Sequence, residues 1–134
     1  MTIVGIDHVQ LAAPPDCEDE ARRFFGGLLG LREIEKPPSL AARGGAWFGA
    51  GEQQIHVGVE ERFVPASKAH PALLVESSRL EDMARRLAQD GAPVTWDDEL
   101  APIRRFYTAD PWGNRIELIA VHRSRSRVGS GVAK

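Results

Sequence analysis

Two stretches of the chain carry the same spacing of apolar and charged positions. In EDEARRFF and its flanks the apolar residues are Cys17, Ala21, Phe24, Phe25 and Leu28; around EDMARRLA they are Leu80, Met83, Ala84, Leu87 and Ala88. Apolar residues recurring every three or four positions predict an amphipathic helix. Glu18-Asp19 is answered by Glu81-Asp82 and Ala21-Arg22-Arg23 by Ala84-Arg85-Arg86, an offset of 63 residues in a chain of 134. Asp16 stands where a side chain caps the first helix, and the acids that follow favour its positive end. Gly30 and Gly91 stand where left-handed residues end the two helices.

Around each helix the period changes to 2. The alternation predicts a strand over 3–12 before the first helix and strands over 31–36, 45–50 and 53–59 after it. A second set follows over 70–76, 93–97, 103–109 and 114–121, with Gly51-Glu52 and Asp110-Pro111-Trp112-Gly113-Asn114 as turn signals. Each half therefore reads strand, helix, three strands. The fold class is α+β, built from two tandem βαβββ modules at about 3–59 and 68–121. The segment 60–68 joins them within one domain over 1–122, and the polar tail 123–134 is expected to be disordered.

Composition narrows the function classes. With 43% hydrophobic residues, 27% charged residues and a net charge of −2, no broad basic field invites nucleic acid or an acidic membrane. No apolar run reaches the length that crosses a bilayer, and the N-terminal residues lack the pattern of a secretory leader. Cys17 is the single cysteine and aligns with Leu80 of the second copy, so it reads as a packed, unreactive thiol. The expected setting is the reducing cytoplasm.

The strand phases isolate a candidate site. His8 and Gln10 oppose Val9 and Leu11; Gln54 and His56 oppose Ile55, Val57 and Val59. In the second half His70 and Ala72 oppose Leu73 and Val75, while Arg115 and Glu117 oppose Ile116, Leu118 and Ala120. His8 to His70 is 62 residues and His56 to Glu117 is 61, both close to the helix offset. A lone histidine on the polar face of a strand is usually a solvated one. Here three of the chain's four histidines, all but His122, occupy repeat-equivalent positions with a glutamate. Neutral imidazoles with a carboxylate suit a divalent Fe, Ni, Mn or Zn and leave positions open for substrate.

Three stretches carry a family likeness: Gly5-Ile6-Asp7-His8-Val9-Gln10-Leu11 at the opening, FFGGLLGL at the end of the first helix, and Asp110-Pro111-Trp112-Gly113-Asn114-Arg115-Ile116-Glu117-Leu118 at the close. With the two modules, they resemble the vicinal oxygen chelate superfamily of glyoxalases, bleomycin-resistance proteins and extradiol dioxygenases over residues 3–121. The resemblance implies a cupped mixed sheet with helices outside and a divalent metal on its concave side, held by His8, His56, His70 and Glu117. Glyoxalase I itself usually has glutamate where this chain has His56, and His8, His70 and Glu117 alone form the two-histidine, one-carboxylate triad of other members.

The implied chemistry is lyase or isomerase action on a small substrate with neighbouring oxygens, an enediolate or oxyanion being stabilised and Glu117 moving the proton. Trp47, Phe48, Arg105 and Tyr107 are the candidate substrate-binding residues; alternation groups Arg105 with Tyr107, and an arginine beside a metal suits an anionic substrate. A metal-free protein that sequesters a drug or metabolite is the alternative, and an extradiol-type dioxygenase the third reading. A homodimer is the expected assembly, because modules of this kind pair within a chain or across a dimer.

Overall fold

The structure is a computed structural model and describes residues 2–122; the tail expected to be disordered lies outside the described residues. Its first four strands are β1 (His8–Ala13), β2 (Arg32–Ile34), β3 (Ala46–Ala50) and β4 (Gln53–Val59), and its last four are β5 (Ala72–Val75), β6 (Thr95–Asp97), β7 (Arg105–Ala109) and β8 (Arg115–Ala120). They make two four-stranded mixed sheets of one topology, β1-β4-β3-β2 and β5-β8-β7-β6. In each, the first and last strands pair in parallel and the remaining pairs sampled are antiparallel. This is the α+β architecture of two βαβββ copies that the sequence predicts. Among the described residues no helix is long and apolar enough to cross a membrane.

Helix α1 (Glu18–Ala21) runs on as a π-helix over Arg22–Leu28, α2 is Pro38–Ala41, and a 3₁₀ turn over Ser77–Arg79 leads into α3 (Leu80–Gln89). The wider π turn moves the expected apolar stripe. Leu29 N–H donates to the Phe24 carbonyl five residues back at 3.0 Å, so Leu29 is buried and Leu28, the residue that a 3.6 period selects, is only partly covered. Asp16 is not the cap that the sequence predicts. It sits at φ 64° in the left-handed region, and α1 has no side-chain cap at all. Gly30 and Gly91, at φ 77° and 92°, end their helices as expected.

The glutamate next to that helix start has a different partner. Glu18 Oε2 accepts the Gly45 N–H at 2.6 Å, fastening the helix start to the turn that enters β3. Gly45 has φ 85°, and a Cβ there would lie 2.1 Å from the Val57 carbonyl oxygen, so no other residue fits without breaking the approach of this turn to β4. The Gly45 hydrogen bond holds the Glu18 carboxyl below the usual glutamate range.

Strand lengths are set by available partners. The pattern predicts β1 from residue 3, but pairing begins at His8, opposite Gln54, and the Asp7 carbonyl takes the last bond from Gln54 N–H. Earlier residues run past the start of β4, which leaves Ile3, Val4 and Ile6 exposed. In the second half, β7 opens at Arg105 because β6 ends at Asp97, its partner. Pro71 cannot donate to a ladder, and β5 starts after it, so His70 lies just ahead of its strand.

The chain divides into two compact units, one of residues up to Pro71 with Ala109–Ile116, the other of Ala72–Thr108 with Glu117 onward. In the first, Phe24, Phe25, Phe48, Ile55 and Val57 are buried, with Phe25 and Phe48 5.6 Å apart. Each such aromatic contributes about 1.5–3 kcal/mol by leaving water. Cys17 is 2% exposed beside them, and burial, with the negative charge of Glu18, pushes its thiol up, in line with an unreactive role. Asn114, also buried, closes this unit. Its Nδ2 donates to the Ala12 carbonyl and to Asp110 Oδ2, both at 2.8 Å, and its Oδ1 accepts from Ala66 N–H at 2.9 Å. The second unit buries Leu80, Ala84, Leu87, Phe106 and Leu118.

Replacing Glu18 with alanine leaves the buried Gly45 N–H unpaired and is expected to cost about 1–3 kcal/mol at pH 7. Because the folded-state carboxyl is depressed, its stabilisation is present above the unfolded glutamate value of about 4.3 and is lost as pH falls through the lower folded value. Urea unfolding of the two proteins from pH 7 to pH 3 checks this: the gap between them should narrow on acidification.

Candidate functional site

The face of the first sheet that carries no helix-packing residues holds an aromatic ladder. Alternation along β1 and β4, with Gln10 in register with His56, puts His8, Gln10, Gln54 and His56 on one face, and β3 adds Trp47 directly opposite His56. His56 lies between two rings, stacked on His8 at 4.1 Å and on Trp47 at 3.8 Å between centroids. That stacking explains why His56 is 4% exposed although it points away from the core. Its Nε2 is 2.8 Å from Gln54 Oε1. Burial, with the neighbouring His8 ring acting in the same direction, pushes the imidazole below its ordinary pKa and favours its neutral form.

His8 and His70 share a different feature. His8 Nδ1 is 2.9 Å from Asp7 Oδ2, and His70 Nδ1 is 2.8 Å from the Lys68 carbonyl. A carbonyl or carboxylate can only accept, so each contact places an N–H on Nδ1, and in the neutral ring that leaves the lone pair on Nε2. Metal-binding histidines are oriented in this way by an oxygen behind the ring.

In the second unit Glu117 is 5% exposed, and Arg105 Nη1 donates to its Oε2 at 3.2 Å. Arg105 Nη2 donates to Asp97 Oδ1, also at 3.2 Å, across the β6–β7 pair, and the guanidinium carbon lies 5.4 Å from the Tyr107 ring centre. One cation thus faces two carboxylates. An anionic substrate would meet Arg105 with Asp97 and Glu117 already beside it, and the buried Arg105 Nε has no hydrogen-bond partner among the described residues. Tyr107 shares the Arg105 face, as alternation predicts.

Phe48 requires a correction. Neighbouring residues of a strand point to opposite faces, so Phe48 cannot wall a pocket with Trp47; it is fully buried against Phe25. Of the four sequence-derived metal donors, His8 and His56 are in ring contact. Among the described residues no three His, Cys, Asp or Glu side chains gather into a group that could hold a metal ion. The donor chemistry of His8, His70 and Glu117 fits a divalent transition metal, whereas His56 would first have to release Nε2 from Gln54. Gln54 was legible as a neighbour on the His56 face. Asp97 was not, because its meeting with Arg105 depends on hairpin register.

No protein-family model matches the chain, and comparison with curated proteins gives no match. Among solved structures, a glyoxalase family protein from Bacillus anthracis is 47% identical, with a TM-score of 0.84 over 91% of this chain and 98% of that one. The chain belongs to the glyoxalase family. Its fold also recurs in the fosfomycin resistance protein FosX from Listeria monocytogenes, at 16% identity and a TM-score of 0.74 over 92% of this chain and 98% of that one. Lactoylglutathione lyase from Agrobacterium tumefaciens shares it at 18% identity and a TM-score of 0.68, over 90% and 96% of the two chains. These two likenesses are of fold, within the vicinal oxygen chelate superfamily to which the glyoxalase family belongs.

The two faces of β3 make distinct predictions for this glyoxalase-family protein. Phe48→Ala empties a core position and should cost about 3–5 kcal/mol. Trp47→Ala removes a partly covered ring from the His56 stack and should cost about 1–2 kcal/mol. Chemical denaturation of both variants measures the difference, and equal costs would refute the assignment of Phe48 to the core.

Proposed function

We propose that this glyoxalase-family protein is a divalent-metal-dependent enzyme acting on a small molecule with vicinal oxygens, by lyase or isomerase chemistry, in the cytoplasm. The observation that carries this reading is the matched orientation of His8 and His70: at equivalent positions of the two modules, each ring has an oxygen within hydrogen-bond distance of Nδ1, which directs Nε2 away from it. His8, His70 and Glu117 would hold the ion, with His56 as the fourth sequence-derived donor.

When bound, a divalent ion supplies positive charge that polarises two adjacent substrate oxygens. The chain's own residues do the remaining work. Glu117 is the group placed to take a proton from the carbon beside a substrate carbonyl and to return it, and Arg105 fixes its rotamer through Oε2. Asp97 holds Arg105 in turn. His56, kept neutral in its stack, sets the ring plane of His8, and Trp47 and Tyr107 supply apolar surface for the substrate.

A metal-free sequestering protein is the second reading, favoured by one feature: the Arg105–Glu117 and Gln54–His56 contacts pair both donors without an ion. Elemental analysis of protein purified without a histidine tag separates the two. About one divalent ion per chain is expected, with His70→Ala and Glu117→Ala each weakening metal affinity more than tenfold and abolishing turnover in a screen of oxoaldehyde hemithioacetals, catechols and hydroxyacyl thioesters. Protein that neither contains nor takes up metal, and binds its ligand equally well after both substitutions, would establish the sequestering role instead. Light scattering should give twice the 14.7 kDa chain mass; a monomer would exclude the homodimer.

A further inference from the structure

The ladder face of the first sheet continues into a small polar pocket of about 230 Å³, lined by Gln10, Lys36, Leu40, Arg43, Trp47 and the backbone around Gly58. Trp47 belongs to both regions, since the ring that lines the pocket is stacked on His56. Gly58 makes the room. A Cβ there would lie 2.9 Å from the Gln10 side-chain amide, so the missing side chain lets that amide lie across β4.

The charge in this pocket is of one sign. Lys36 and Arg43 flank α2, and no carboxylate side chain lines the space. Lys36 Nζ donates to the Gly44 carbonyl, a neutral acceptor. Among the described residues neither Lys36 nor Arg43 forms an ion pair. Glu18 acts on Lys36 electrostatically from outside the pocket lining, where its carboxylate accepts the Gly45 N–H. The contrast with Arg105, which lies between two acids, is direct.

From this we infer that Lys36 and Arg43 form an anion-recognition subsite that takes a carboxylate or phosphate group of the substrate. The inference rests on the enzyme reading only in calling the ligand a substrate. Arginine presents a planar fork that matches either anion, lysine adds a point charge, and the Gln10 amide adds a donor. Pockets that enclose a whole drug-sized ligand occupy about 300–1,000 Å³, so a space below that range suits one anionic group, with the rest of the molecule lying over Trp47 toward the histidines.

Calorimetric titration of the full-length, chelator-treated protein with inorganic phosphate, acetate and neutral glycerol tests the subsite without reference to metal. Phosphate or acetate should bind and glycerol should not; tighter acetate assigns a carboxylate, and tighter phosphate a phosphate. Arg43→Glu, at an exposed position, should weaken anion binding more than tenfold, Lys36→Met should weaken it similarly, and Arg85→Glu on α3 should leave it unchanged. Glycerol binding as tightly as the anions, or unchanged anion affinity in Arg43→Glu, would overturn the subsite. Metal content is measured on the same preparations before chelation. Anion binding that follows Arg43 in protein never found to hold metal would uphold the subsite while removing the enzyme reading.

Discussion

Parallel pairing of the first and last strand in each module is the constraint on which the rest depends. Parallel neighbours cannot be joined by a tight hairpin, so each module must carry its chain over one face in a helical crossover before the antiparallel strands complete the sheet. Burying that helix commits one face of every strand to apolar residues and leaves the opposite face to His8, Gln10, His56 and Trp47 in the first module. The same pairing fixes which residues meet. Gln10 lies opposite His56 and Ala72 opposite Glu117, so the register itself makes His56 and Glu117 equivalent.

On that shared frame the two copies have diverged in how they treat the equivalent position. His56 is neutral, desolvated and held by rings, and its polarity is met by one amide. Glu117 is as deeply buried, and burial of a carboxylate without a counter-ion is prohibitive, so Arg105 accompanies it and is itself held by Asp97. One module thereby presents an aromatic surface and the other an ionic one in which Arg105 bridges two carboxylates while its buried Nε has no hydrogen-bond partner among the described residues. The pocket whose charged lining residues are both cations, Lys36 and Arg43, lies beside the aromatic surface.

Small backbone features keep these arrangements in place. The left-handed turn at Gly44 and Gly45 brings Glu18 and Lys36 against the entry to β3, the strand that carries Trp47. Asn114 holds the Ala12 carbonyl at the end of β1 and the Ala66 amide in the loop before His70. Each of these contacts joins segments that lie far apart in sequence, and each satisfies a backbone group that would otherwise be buried unpaired.

The amino-acid sequence by itself determined the duplication, the βαβββ order, the core faces and the equivalence of His8 with His70 and of His56 with Glu117. Those properties are local, repeating at periods of 3.6 and 2, or are carried by a simple offset. Only tertiary structure decided where strands begin, because pairing needs a partner: Ile3 to Ile6 alternate as a strand would, yet β4 starts too late to meet them. It also decided that Phe48 is core, that Leu29 replaces Leu28 in the helix stripe, that His56 is enclosed between rings, and that Arg105 meets Asp97. A π turn, a cross-strand stack and a hairpin register are relations between residues whose own identities encode none of them, which is why the meeting of Arg105 with Asp97 was not legible in the sequence.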